Sequence, residues 1–161
     1  MTRIRLSLAV FALVFTLTGL ASATNLIKSD TSHPSYFFEA EPHLVVTPFH
    51  KDFGIGPGFA GTFNIVDRGF INRFNDSVGV GFAANWTNHQ HFILSASMQW
   101  NFWFTEHWSA FGEPGFAIGT DDDIEFWPSF GAGGRYAFTE SIALTLRVGF
   151  PASSVGVSFL L

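Results

Sequence analysis

The stretch Phe92-Ile93-Leu94-Ser95-Ala96-Ser97-Met98-Gln99-Trp100-Asn101-Phe102-Trp103-Phe104 alternates without a miss. Phe92, Leu94, Ala96, Met98, Trp100, Phe102 and Phe104 fall on one phase; Ile93, Ser95, Ser97, Gln99, Asn101 and Trp103 fall on the other. A period of two is the mark of a strand with two distinct faces. Here the apolar face is rich in aromatics, while the opposite face is mostly small or polar and carries no charge. That pairing predicts a strand with lipid on one side and a narrow, polar barrel interior on the other.

The composition agrees. The chain has 161 residues, of which 17% are aromatic and only 13% charged. A water-facing exterior carries roughly 25–35% charged residues, so this chain has too few to cover one. It opens with a basic Met1-Thr2-Arg3-Ile4-Arg5, continues apolar from Leu6 to Leu20 and then reads Ala21-Ser22-Ala23. This is the pattern of a secretory signal peptide over residues 1–23, cleaved after Ala23; the apolar run is shorter than the roughly twenty residues of a spanning helix. Removing Arg3 and Arg5 from the eight basic residues leaves six against thirteen acidic ones, a net of −7. Nucleic acid is therefore not an expected partner. The sequence contains no Cys, so neither a disulfide nor a lipoprotein anchor is expected.

Residues 24–35 are polar and read as a periplasmic lead-in. From Tyr36 to Leu161, eight alternating segments follow, near 36–47, 54–65, 77–87, 91–104, 108–119, 124–138, 142–150 and 153–161. Most are close to the nine to eleven residues, roughly, that a tilted strand needs to cross a bilayer. The predicted fold is all-β: an eight-stranded antiparallel up-and-down transmembrane β-barrel over 36–161. Two tight connections, Phe104-Thr105-Glu106-His107-Trp108 and Phe138-Thr139-Glu140-Ser141-Ile142, share a Phe-Thr-Glu pattern and belong on one side, the periplasmic one. Asn85–Gln90 and Thr120–Asp123 then become outer loops. Val66–Asp76 is the exception: it is periplasmic in this scheme yet long, with Arg68, Phe70, Ile71, Arg73 and Phe74.

When each strand's phase is fixed by its aromatic and branched residues, every strand charge falls on the opposite phase. These are Glu39, Glu41, Glu113, Glu125, Arg135 and Arg147, and together they predict a charge network in the lumen. A charge on the lipid face at mid-depth costs up to about 2–4 kcal/mol, which explains the segregation. Gly56, Gly58, Gly79, Gly81, Gly131, Gly133, Ser154 and Gly156 share the inward phase and leave room for long side chains. Trp86 is placed at the outer rim, and Trp100, Phe102, Phe104 and Trp108 at the inner rim, as aromatic girdles. With about eight strands the interior is just filled by side chains, so a plugged lumen is expected. A narrow porin-like channel for small solutes is the alternative.

The last strand ends Ser154-Val155-Gly156-Val157-Ser158-Phe159-Leu160-Leu161. Ser154, Gly156, Phe159 and Leu161 resemble the C-terminal β-signal of bacterial outer-membrane proteins, with Leu161 where the common version has Phe. The plan over 36–161 is similar to the OmpA transmembrane-domain and OmpX class of small barrels. This resemblance implies a Gram-negative outer-membrane location, recognition by the barrel-assembly machinery, and contact with outer-membrane lipids and lipopolysaccharide. A monomer without cofactor is the expectation.

Lipid A deacylases and acyltransferases also use this scaffold. The nearest ingredients here are His89, His91, Ser95 and Ser97. Ser95 and Ser97 point inward, however, while a lipid approaches from outside, and His91 and Ser95 lie roughly 13 Å apart along a strand. No enzymatic activity is expected. Asp121-Asp122-Asp123 with Glu125 lacks the spacing of a calcium loop and reads as a solvated acidic loop. His33, His43, His50 and His107 lack metal-ligand spacing. A soluble lipocalin-like periplasmic binder would invert the faces and put the Gly/Ser/Ala phase in water, which makes it the weaker architecture.

Overall fold

The computed structural model describes residues 33–47, 53–71, 74–88, 92–120 and 124–161. The signal segment, most of the lead-in, His50, His89, His91 and the Asp121–Asp123 loop lie outside these residues. Eight strands follow in order: β1 (Phe38–Thr47), β2 (Gly54–Val66), β3 (Asp76–Trp86), β4 (Phe92–Trp103), β5 (Trp108–Thr120), β6 (Ile124–Ala137), β7 (Ile142–Phe150) and β8 (Ser153–Leu160). Each pairs antiparallel with its sequence neighbour, and β1 pairs with β8 to close the barrel. Closure removes the sheet edges that an open sheet would leave unpaired. The chain ends complete the seam: Leu161 O accepts from the backbone N–H of Phe37 (2.8 Å) and Phe38 (3.0 Å).

The opening strand shows how residues become faces. On β4, Phe92, Leu94 and Met98 are 39–47% exposed, whereas Ile93, Gln99, Asn101 and Trp103 are 0–2% exposed. The same inversion holds around the wall. Phe59, Phe82, Phe116, Leu144 and Val157 face outward, while Glu39, Glu41, Thr62, Arg135 and Thr145 are buried inside. The interior of this protein is polar and its exterior apolar.

The end of the barrel that carries Leu161 also carries the short turns β4–β5 and β6–β7, and they are built alike. In one, Thr105 Oγ1 accepts from His107 N (3.2 Å) and Trp108 N (2.9 Å). In the other, Thr139 Oγ1 accepts from Ser141 N (3.2 Å) and Ile142 N (3.0 Å). A hydroxyl accepting turn amides replaces ladder bonds that the chain reversal removes, and this explains the repeated Phe-Thr-Glu. The long Val66–Asp76 connection is also tied down: Gly69 N donates to Asp76 O (2.6 Å), and Trp103 N donates to Asn75 O (2.9 Å). Thr139→Val is predicted to lower unfolding stability by about 1 kcal/mol. Thr139→Ser is predicted to stay near wild type, with both read from urea unfolding in lipid vesicles.

Candidate functional site: the charged lumen

Glu39 and Glu41 are two residues apart on β1 and so share the inward face at successive depths. Each meets an arginine from across the lumen. Arg135, on β6, donates from Nη2 to Glu39 Oε2 at 2.5 Å, and both side chains are buried. Its Nη1 reaches Tyr36 Oη (3.2 Å) and Asn101 Oδ1 (3.4 Å). One layer further from the chain ends, Arg147 on β7 pairs with Glu41 and donates from Nε to Glu113 Oε2 at 3.0 Å. Glu113, on β5, also accepts from Gln99 Nε2 at 2.6 Å, and Glu41 accepts from Ser158 Oγ at 3.2 Å. Buried charges persist when paired and hydrogen-bonded in this way.

Phe111 sits between the two layers. The guanidinium carbons of Arg135 and Arg147 lie 5.3 and 5.2 Å from its ring centroid. Cations over a ring face gain electrostatically once water is excluded. Gly133 supplies the space, because a Cβ there would run into the Phe111 ring and the Leu146 carbonyl. Gly156 does the same for β1: a Cβ would lie 2.6 Å from His43 Cβ and 2.8 Å from Glu41 Oε1. His43 continues the column, with Nε2 2.7 Å from Asn85 Oδ1.

At the end that carries Leu161 the lumen is filled by Trp103, which is fully buried and clusters with Tyr36 and Leu160. His33 stacks on Trp103 with ring centroids 5.5 Å apart, and its two nitrogens face Asn75 Oδ1 (2.7 Å) and Asp67 Oδ1 (3.3 Å). The long turn after β2 therefore holds the described end of the lead-in across the barrel mouth. Sequence reasoning singled out neither Trp103 nor Phe111. Alternation puts Trp103 on the inward phase without showing that it closes the mouth, and Phe111 shares the inward phase of Glu113.

Five of the six charged residues placed on the inward phase meet here. Glu125 is the correction: it is exposed and stands opposite Gly119, near the tip of the β5–β6 hairpin. Gly119 stands six positions beyond Glu113 along β5, roughly 20 Å at strand spacing. Phase sets a residue's face but not its height, so Glu125 cannot reach the cluster.

The aromatic positions divide between the two ends. Trp86 is 59% exposed opposite Phe92, at the end away from Leu161. Trp100 stacks on Phe102 and donates from Nε1 to Asp76 Oδ2 at 2.9 Å. Phe104 bonds back to Trp108 O across the short turn, and Trp108 packs against Tyr136. In the last strand, Ser154 and Gly156 face the lumen, whereas Phe159 and Leu161 are exposed. Ser95 and Ser97 line an interior cavity. Among the described residues no group of three His, Cys, Asp or Glu side chains is arranged to hold a metal ion.

No protein-family model matches the chain, and no curated protein matches its sequence. Solved structures do match. A de novo designed transmembrane β-barrel superposes with a TM-score of 0.57 at 16% identity, covering 83% of this chain and all of the design. A second designed barrel, solved by solution NMR, gives 0.54 at 15% identity, covering 83% of this chain and 98% of the other. The Yersinia pestis outer membrane protein Ail, determined in phospholipid bilayer nanodiscs, gives 0.51 at 11% identity, covering 79% of this chain and all of Ail. At these identities the similarity is one of fold.

Removing one partner of a buried pair leaves the other charge uncompensated, at a cost of about 3–5 kcal/mol. Arg135→Met is therefore predicted to destabilise the barrel by about that amount. Adding Glu39→Gln to Arg135→Met should recover part of the loss, a non-additivity that a double-mutant cycle in lipid vesicles measures.

Proposed function

We propose that this chain is an integral β-barrel protein of the Gram-negative outer membrane, with a lumen closed to solutes and a role exercised through its surfaces. The observation that carries this reading is the pair of arginines spanning the lumen, Arg135 to Glu39 and Arg147 to Glu41 and Glu113, above the Trp103 cluster. A solute path along the axis would have to break those charge-assisted bonds. The outer location is supported by the apolar exterior. Exposed Phe, Leu and Val on every strand are a surface for acyl chains and not for water.

In this reading the Leu161 end, with its short turns, is periplasmic, and the Trp86–Phe92 end faces outward. Export follows cleavage after Ala23, and Ser154, Gly156, Phe159 and Leu161 present the β-signal to the assembly machinery. The mature barrel is a monomer in contact with outer-membrane lipids and lipopolysaccharide, without cofactor or nucleic-acid partner. The resemblance to the OmpA and OmpX class supports this plan; a porin-like channel is the reading it competes with.

The proposal is non-catalytic. Incubation with lipopolysaccharide should leave the mass of lipid A unchanged, whereas loss or gain of an acyl chain would overturn it. In planar bilayers the wild-type protein should show no steady conductance. A steady conductance that shifts on Arg147→Ala would instead establish a pore.

A further inference from the structure

The end of the barrel away from Leu161 is uneven, and strand register shows where. β7 has nine residues and β8 eight, joined by a turn directly after Phe150; β6 has fourteen. β6 pairs with β7 only from Phe130, opposite Phe150, down to Ala137, opposite Ala143. Its pairing with β5 continues up to Ile124. The segment Ile124–Ser129 therefore has a ladder on one side only, and the wall drops by a step to the β7–β8 hairpin. Pro128 lies in this segment, where a strand proline is tolerated because one side needs no ladder.

A cavity of about 80 Å³ lies directly inside the step. At roughly 10–15 Å³ per water centre it has room for about five to eight waters. Asn85, Ser95, Ser97 and Ser129 give it hydroxyl and amide walls, and Glu113 and Arg147 also line it. The charged members are not a site for an anion, since Arg147 is already bound to two carboxylates, Glu41 and Glu113. Outside the step the surface changes character. Phe126 and Phe130 are exposed, and Phe130 stacks on Phe150 with centroids 6.0 Å apart. A pocket with several hydroxyls, whose lining charges Glu113 and Arg147 neutralise each other, beside an aromatic sill matches an amphiphile with an uncharged, hydroxyl-rich head.

We propose that the step between β6 and the β7–β8 hairpin admits the sugar head of an outer-leaflet glycolipid into this cavity, while its acyl chains stay below, on Phe130 and Phe150. The proposal rests on the membrane reading above, and depth favours it. Nine residues of β7, tilted by about 40°, rise roughly 23 Å, close to the apolar band of about 25 Å of such barrels. The hairpin tip then ends where acyl chains give way to heads, and the step opens at head-group level.

The test uses the full mature barrel in phosphatidylcholine nanodiscs, with folding first verified by heat-modifiable gel mobility. Loss of that signature would overturn the membrane reading itself; a folded barrel that fails the next measurement overturns only the glycolipid proposal. Amide shifts are then followed as monoglucosyl diacylglycerol, phosphatidylglycerol or free methyl glucoside is added. The expected result is saturating shifts at Ser95 and Ser97 with the glucolipid, and apparent affinity about tenfold weaker or worse for the other two.

Because the chain contains no Cys, Ser129→Cys gives a single thiol that a bulky maleimide can block after folding. Blocking should abolish the shifts at Ser95 and Ser97. Shifts confined to Phe130 and Phe150, shifts unaffected by the blocked thiol, or equal affinity for free methyl glucoside would each overturn the proposal.

Discussion

Two guanidinium groups reach across the inside of this barrel to carboxylates on β1, and much of the surrounding structure exists to make that feasible. An arginine stripped of water costs several kcal/mol unless its charge and its donors are met. Arg135 is met at its two terminal nitrogens by Glu39, Asn101 and Tyr36, and Arg147 by Glu41 and Glu113. Their length needs space, which Gly133 and Gly156 leave at the points where a methyl group would collide with Phe111, His43 or Glu41. β4 contributes no charge because its inward positions supply neutral partners, with Gln99 on Glu113 and Asn101 beside Arg135. The uncharged polar face of β4 is the complement of charges carried by other strands.

The two ends of the barrel follow different rules. At the Leu161 end, threonine hydroxyls tighten the short turns, and the long turn after β2 presents Asp67 and Asn75 to His33 over Trp103. At the other end, β6 rises past its neighbour while the β7–β8 hairpin stops at Phe150. A filled mouth at one end and a stepped, hydroxyl-lined cavity at the other leave an axis that is asymmetric in packing and chemistry.

Alternation made most of the architecture legible in the sequence, because period two is a local property that each strand carries by itself. Eight segments and their faces could be read from side-chain type, and the observed strand ends differ from the sequence reading by a few residues at most, as with Phe38 for Tyr36 at the start of β1. Height could not be read in this way. Glu125 shares a phase with Arg135 yet follows the Thr120–Asp123 loop by two residues and so stands near the hairpin tip, while heights on different strands are set by the stagger accumulated around a closed sheet. The pairing of each carboxylate with its arginine depends on that same stagger. Phe111 was obscured for another reason: residue type alone assigns aromatics to lipid, whereas a lumen crossed by arginines also has places for flat, polarisable rings.

The central claim is that this protein is turned inside out, with its aromatic and aliphatic rows in contact with acyl chains and its Arg–Glu cluster sealed within. Nuclear Overhauser contacts from lipid methylenes in nanodiscs test it most directly. Leu94, Met98, Leu144 and Val157 should show strong acyl-chain contacts, while Val45, Ile93 and Ala117, on the inward phase, should show none. Acyl contacts at the inward set, or water contacts along the outward set, would contradict the account.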